Sequence, residues 1–99
     1  MKLTLNGAID VLRAYAEQGD EVYDQPCYDA WHRQVPGTDL TVAVTRCDDG
    51  SPAALYVWRE GDAEMLVRLD EGGPVVVMGD EEDLLALAQT VLGQKRRVG

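Results

Sequence analysis

The chain has 99 residues, 45% of them hydrophobic and 27% charged, and its 18 acidic and 9 basic residues give a net charge of −9. This length suits one domain with its own core, and the composition is globular rather than disordered. Such an acidic excess disfavours direct binding to nucleic acids or to anionic membranes, which attract clustered Lys and Arg. Two interpretations stay open: charge that serves solubility, or a negative surface for a basic partner.

Cys27 and Cys47 are the two cysteines, and their spacing does not indicate a disulfide framework. No secretory signal pattern and no long apolar run precede the first helical pattern. We therefore expect reduced thiols in a cytoplasmic protein without a transmembrane span. No cofactor is expected either.

The first predicted element is a helix between Thr4 and Gly19. Thr4 is suited to cap its N-terminus and Gly19 to end it. Its apolar residues recur at helical spacing, namely Leu5, Ala8, Ile9, Leu12, Tyr15 and Ala16. Residues 20–38 then show no sustained period and are predicted to be irregular, with Pro26 able to open a short helix over residues 27–34.

From residue 39 onward the apolar period changes to two, which predicts strands. Four of them follow one another between short turns, over residues 39–47, 53–60, 64–70 and 75–79. No crossover helix separates them, so we expect an antiparallel meander. The last strand contains the uninterrupted apolar run Val75–Met78, which is expected to be buried on both faces or covered by a helix.

A second helix is predicted to start at the N-cap Asp80 and to stop at Gly93, leaving residues 94–99 as a frayed basic tail. Its apolar stripe consists of Leu84, Leu85, Leu87, Ala88, Val91 and Leu92. The whole prediction is a single α+β domain over residues 1–99, with an N-terminal helix, an irregular segment, a four-stranded antiparallel meander and a C-terminal helix. Two helices suffice for one sheet face, so the irregular segment or a partner chain should cover the other.

Residues 20–34 hold half of the aromatic residues, one cysteine and the only histidine. Tyr23, Tyr28 and Trp31 either anchor this segment to the core or form an interface hot spot. A helical turn would bring Asp29 towards His32, as in a catalytic or metal-bound histidine. However, the paired spacing typical of zinc ligands is missing, so we expect no metal site and no catalytic residues.

The order of helix, antiparallel strands and helix is similar to that of the double-stranded-RNA-binding module. That module relies on basic residues at its last helix, whereas the corresponding helix starts here with Asp80–Asp83. The resemblance therefore concerns topology and implies no function.

The sequence thus predicts a small acidic protein-binding module, such as an adaptor, inhibitor or chaperone-like protein, for a partner with a basic surface. The residues expected to bind that partner are Asp20, Glu21, Asp24, Tyr28, Asp29, Trp31 and His32. One alternative is a small enzyme or ligand-binding domain built on Cys27, Asp29 and His32. Another is a homodimer formed through the free sheet face or an edge strand.

Overall fold

The computed structural model describes residues 3–24, 28–47, 52–59, 62–70 and 72–98. Two helices flank six strands, in the order α1 (Leu5–Glu17), β1 (Asp20–Asp24), β2 (Tyr28–Gln34), β3 (Leu40–Cys47), β4 (Pro52–Arg59), β5 (Asp62–Asp70), β6 (Gly73–Met78) and α2 (Glu81–Val98). The strands form one antiparallel sheet in the order β1-β2-β3-β4-β5-β6. The predicted α+β class with a helix at each end is confirmed, whereas the predicted four strands are wrong because the sheet has six.

The two additional strands, β1 and β2, lie in the segment that was predicted to be irregular. β2 pairs with β3 along its whole length, from Tyr28 opposite Cys47 to Gln34 opposite Thr41. The short helix predicted over residues 27–34 is therefore wrong. Pairing with β3 provides this stretch with backbone partners, and such tertiary pairing outweighs the weak preference of a short helix, which is marginal on its own.

A tight turn joins β2 to β3 and fixes their register. Thr38 N donates to Val35 O at 3.1 Å, and Val35 N donates to Leu40 O at 2.9 Å. Pro36 and Gly37 occupy the two central positions, and Gly37 has a φ of 82°. This is the arrangement of a type II turn, in which the third residue needs the left-handed backbone that glycine adopts without strain.

One face of the sheet and both helices enclose a single core. The buried strand residues on this face alternate along β3, β4 and β5, and they are Val42, Val44, Leu55, Val57, Met65 and Val67. They pack against the buried stripes of the helices, which are Ala8, Ile9, Leu12, Tyr15 and Ala16 in α1 and Leu84, Leu87, Ala88 and Val91 in α2. The predicted apolar stripes are confirmed at these positions, whereas Leu92, also predicted for the second stripe, is half-buried and lies outside this core.

Side chains cap the start of each helix as predicted. The Thr4 hydroxyl accepts a hydrogen bond from Gly7 N at 3.0 Å. The Asp80 carboxylate accepts one from Glu82 N, also at 3.0 Å. Each cap satisfies a backbone donor that the first turn leaves without an intrahelical partner.

Helix α2 continues through Gly93 to Val98, so the predicted end at Gly93 is wrong. A glycine inside a helix costs about 1 kcal/mol relative to alanine but does not forbid the conformation. Fraying of residues 94–99 stays a prediction. The expected burial of Val75–Met78 is also wrong, since β6 is an edge strand in which Val75 and Val77 are 48% and 52% exposed.

The sheet face that is turned away from α1 and α2 is called the open face below. One cross-strand row on it spans all six strands, and its members are Asp20, His32, Ala43, Tyr56, Leu66 and Met78. Residues 20–24 and 28–34 of the segment predicted to be irregular do not cover this face, because they form strands of the sheet itself. Among the described residues, both helices lie on the opposite side.

Candidate functional site

All seven residues that the sequence predicts to bind a partner lie in the hairpin of β1 and β2. Strand β1 holds the three acids Asp20, Glu21 and Asp24, and β2 holds the other four residues. The register pairs Asp20 with His32, Glu21 with Trp31 and Asp24 with Asp29. The sequence groups these residues only by their nearness along the chain. The fold pairs them across two strands, including Asp20 and His32, which are twelve residues apart.

Strand β1 is one edge of the sheet, since its only strand partner among the described residues is β2. The side chains of Asp20 and Glu21 are exposed. An edge strand presents backbone N–H and C=O groups that can pair with another chain, and charged side chains along it restrict which chain can do so. The β1 edge is thus an acidic strand with free pairing capacity.

Trp31 lies on the helix side of β2, where it is half-buried and packs against the core. Its cross-strand neighbours are Glu21 on β1 and Val44 on β3. The Arg46 guanidinium carbon lies 5.1 Å from the centroid of the Trp31 ring, within the range of a cation–π contact. Trp31 therefore anchors β2 to the core.

Arg46 also connects this part of the sheet to helix α1. Its guanidinium forms an ion pair with the Glu17 carboxylate near the end of that helix. The two side chains keep only 35% and 26% of their surface exposed, so water screens the pair less than it would at a fully open site. The contact holds the C-terminal turn of α1 above β2 and β3.

His32 lies on the open face, on the side opposite to its neighbour Trp31. Its ring centroid is 6.2 Å from that of Trp58 on β4, and the two ring planes are inclined by 44°. Strand β3 lies between β2 and β4, and its residue Ala43 is only 5% exposed on this face. The imidazole thus belongs to an aromatic surface, with the Asp20 carboxylate as its cross-strand neighbour.

Tyr56 and Trp58 are the open-face residues that sequence reasoning did not assign to a site. Both are half-buried, and Tyr56 is directly opposite Ala43 and Leu66 in the register. The sequence contained a signal, because Ala54, Tyr56 and Trp58 alternate with Leu55 and Val57. What it could not decide was which of the two sets faces the helices.

A cleft of about 540 Å³ opens to solvent between the end of α1, the end of β2 and the start of β3. It is lined by Gln18, Gly19, Asp20, His32, Arg33, Gln34 and Thr41. Gly19 forms one wall of the cleft and lies directly against the backbone carbonyl of His32. There is no room for a Cβ atom at this position, because it would overlap that carbonyl. The cleft is polar and could accept water or a small polar group.

Arg33, which lines this cleft, contacts Tyr15 of α1. The Arg33 guanidinium lies 4.2 Å from the centroid of the Tyr15 ring and donates to the Gln18 side chain at 3.4 Å. The Tyr15 hydroxyl donates to Gln34 O at 2.8 Å. Burial raises the pKa of Tyr15 above 10.0, while the nearby Arg33 charge opposes the rise. These contacts favour a structural role, because each polar group is engaged in holding α1 to β2.

The described residues contain no group of three or more His, Cys, Asp and Glu side chains that could hold a metal ion. Cys27 lies outside the described residues. Asp29 and His32 lie in one strand, so the helical turn that would have brought them together does not form. Within the described part of the chain, neither helix is long and apolar enough to cross a bilayer.

Comparisons with protein-family models, with curated proteins and with solved structures found no match to this chain. The assignment of function therefore rests on the geometry described above.

Proposed function

We propose that this protein is a non-enzymatic protein-binding module of the cytoplasm, of the adaptor, inhibitor or chaperone-like kind, for a partner with a basic surface. The observation that carries the proposal is edge strand β1, in which three of five residues are acidic. His32, on the neighbouring strand β2, lies opposite Asp20 in the register, and its ring on the open face is 6.2 Å from that of Trp58 on β4. An acidic edge beside an aromatic surface favours a basic protein segment.

The backbone of β1 supplies the first element of recognition. Its outer edge has no strand partner among the described residues, so an extended segment can add to the sheet by β-augmentation. Main-chain hydrogen bonds then provide affinity, and the side chains on alternate faces provide specificity. This mode needs no preformed pocket.

The acids of β1 supply the second element, which is selection by charge. In the register Asp20 is paired with His32 on the open face and Glu21 with Trp31 on the helix side. Basic side chains of an added strand would therefore meet an acid on either face. Opposite-charge cross-strand pairs contribute about 0.2–1 kcal/mol each, while like charges destabilise pairing. The net charge of −9 adds long-range steering of a basic partner.

The aromatic residues divide into two roles. His32, Tyr56 and Trp58 offer contact surface on the open face, where buried aromatic side chains typically supply much of the binding energy. Trp31 supports the site from beneath, because its ring packs against the core and keeps β2 in position. Tyr28, Asp29 and Asp24 belong to the same hairpin and complete the proposed binding segment.

The proposal can be tested with a defined probe before any natural partner is known. The probe is an extended peptide of alternating lysine and valine, and its control replaces each lysine by glutamate. We expect the lysine peptide to bind, to shift the backbone amide resonances of β1 and β2, and to dissociate as salt is added. The glutamate peptide should not bind.

A matched pair of variants then locates the site. Asp20→Lys with Glu21→Lys reverses two exposed acids of β1, and Asp62→Lys with Glu64→Lys reverses two exposed acids of β5. Both variants change the net charge by the same amount. The first should lose the lysine peptide and gain the glutamate peptide, whereas the second should keep the native preference. If both variants lost the lysine peptide equally, net charge alone would explain the binding, and a site at β1 would be contradicted.

The cleft beside Gly19 favours a second candidate, the binding of a small polar ligand. It contains a carboxylate, an imidazole and a hydroxyl from Asp20, His32 and Thr41. Amide shifts confined to these residues on addition of a metabolite mixture, together with no response to either peptide, would favour this candidate over the protein-binding proposal.

A further inference from the structure

The cleft beside Gly19 is lined on the open face by polar side chains from three strands. Asp20 of β1 is opposite His32 of β2, and Gln34 of β2 is opposite Thr41 of β3. Alternation along β2 places His32 and Gln34 on the same face, so all four side chains project from the open face. The cleft volume of about 540 Å³ lies within the range of sites that hold one small molecule.

The side chains of these four residues are available to a ligand. None of them forms a hydrogen bond or an ion pair with another residue of the described ranges. The exposed side chains of Arg59 and Asp39, at the same end of the sheet, do form an ion pair. A few unpaired polar groups that converge on one depression are characteristic of a ligand site.

The charges around the cleft are balanced, whereas the chain as a whole carries −9. Asp20 contributes a carboxylate and Arg33 a guanidinium. The guanidinium is held in place, since it lies 4.2 Å from the centroid of the Tyr15 ring and donates to the Gln18 side chain. A cation in the cleft would meet the charge of Arg33, and an anion would meet that of Asp20. The lining therefore favours a ligand without a net charge.

The uncharged side chains of the lining both donate and accept hydrogen bonds. The Gln34 amide, the Thr41 hydroxyl and the neutral imidazole of His32 each offer a donor and an acceptor, while the Asp20 carboxylate accepts. A ligand hydroxyl group also donates and accepts. A molecule with several hydroxyl groups can therefore satisfy all four side chains at once.

An aromatic surface borders the cleft on the side of β4. Trp58 is opposite Thr41 in the register, and its ring centroid is 6.2 Å from that of His32, which lines the cleft. Both side chains are half-buried, so each keeps part of its ring surface for a ligand. The C–H groups on one face of a sugar ring are apolar and can pack against such rings, while the hydroxyl groups around the ring reach polar side chains.

We propose that the cleft, together with Trp58, binds a neutral polyhydroxylated molecule of the size of a monosaccharide. This inference rests on the second candidate function given above and names the class of its small polar ligand. Asp20, Gln34 and Thr41 hold the hydroxyl groups, and the rings of His32 and Trp58 contact the apolar face of the sugar. The dissociation constant is expected to be of the order of a millimolar, because the cleft is open and leaves much of the ligand in water.

Sugars of matched size and different charge test the proposal on the full chain. Glucose, galactose and mannose are titrated at neutral pH, each beside its uronate and its analogue with an ammonium group in place of the terminal hydroxyl. At least one neutral sugar should shift the amide resonances of Gly19, His32 and Thr41 and the indole N–H resonance of Trp58. Its two charged analogues should bind about threefold more weakly or less.

The methyl glycosides of the same sugars separate two sources of this chemistry. Binding that is lost in them assigns the cleft to free sugars, and binding that is retained extends it to the end of a glycan chain.

Two variants and a matched control locate the site. Thr41→Val removes one hydroxyl of the cleft and should weaken binding of the sugar about fivefold. Thr45→Val removes a half-buried hydroxyl from the same face of β3, outside the cleft, and should bind like the native protein. Asp20→Asn leaves the charge of Arg33 without its counterpart and should shift the preference from the neutral sugar to its uronate.

Three results would overturn the inference. One is the absence of any shift with the three neutral sugars at concentrations far above a millimolar. Another is tighter binding of a charged analogue, or of the zwitterion serine, to the native protein. The third is an equal loss of binding in Thr41→Val and Thr45→Val. The lysine peptide should bind to β1 of Thr41→Val as it does to the native protein, so the proposed protein-binding function and the sugar site can fail independently.

Discussion

Trp31 and His32 are neighbours in β2, yet they lie on opposite faces of the sheet and have different surroundings. Trp31 packs against the core beneath α1, with Arg46 over its ring. His32 lies on the open face, 6.2 Å from the ring of Trp58. The segment that concentrates the aromatic residues thus contains both an anchor and a surface. Alternation along the strand therefore places one side chain against the core and the next one on the open face.

This division predicts different costs for removing the two tryptophans. Trp31→Ala should lower the free energy of unfolding by about 2–3 kcal/mol, because it deletes a half-buried ring that packs against the core. Trp58→Ala should cost less than about 1 kcal/mol, since its ring lies on the open face where no helix covers it. Urea unfolding followed by far-UV circular dichroism measures both. Equal costs would contradict the assignment of Trp31 as the anchor.

Two glycine-to-alanine substitutions should change stability in opposite directions. A Cβ at Gly19 would overlap the backbone carbonyl of His32 and lie 2.6 Å from Arg33 Cβ. Since backbone cannot swing aside like a flexible side chain, we expect a loss of about 3 kcal/mol or more. A Cβ at Gly93 meets nothing within 4 Å inside α2. Gly93→Ala should therefore raise stability by about 0.5–1 kcal/mol.

The same urea titrations decide this pair. Opposite shifts of the unfolding midpoint are expected at a similar slope. A neutral Gly19→Ala would mean that α1 does not approach β2 as closely as described, and a destabilising Gly93→Ala would contradict a helix that continues to Val98.

Tyr15 predicts how stability depends on alkaline pH. Burial raises the pKa of its hydroxyl above 10.0, with Arg33 acting in the opposite direction. The native state then keeps a proton that the unfolded chain releases near pH 10.0. This contribution is intact below that pH and is lost as the pH rises through the higher pKa of the folded protein.

Tyr15→Phe tests this directly. The variant loses the hydrogen bond to Gln34 O and should be less stable by about 1 kcal/mol at neutral pH. Above pH 10 the gap to the native protein should narrow, because phenylalanine has no proton to lose. Tyr56→Phe on the open face is the control and should change the neutral-pH stability by less than about 0.5 kcal/mol. A gap that widens with pH would contradict the role given to Tyr15.

The two helices could be predicted because their information is local. The spacing of Leu12, Tyr15 and Ala16 defines an apolar stripe, and Thr4 and Asp80 supply caps that act within one turn. Strands β3, β4 and β5 were visible for a similar reason, since alternation and turn residues are read over a few positions.

Strand β2 could not be recognised in this way. Its helix-side residues include Trp31 and Arg33, and its open-face residues include Ala30 and His32, so both faces mix apolar and polar side chains. The Arg33 side chain is accommodated on the helix side because its guanidinium lies over the Tyr15 ring. That contact joins residues from two elements, and no pattern within one segment reveals it. The candidate site was found by composition, while its division between two faces was not.

The amino-acid sequence by itself determined the α+β class, the helix at each end, the antiparallel connectivity and the acidic character of the chain, because these depend on local spacing and on composition. Tertiary structure alone decided that residues 20–24 and 28–34 are strands, that Tyr56 and Trp58 face away from the helices, and that β6 is an edge. The physical reason is the same in each case. A strand acquires its hydrogen bonds and its buried face from a neighbour that is distant in the sequence, so its identity is settled only when that neighbour is in place.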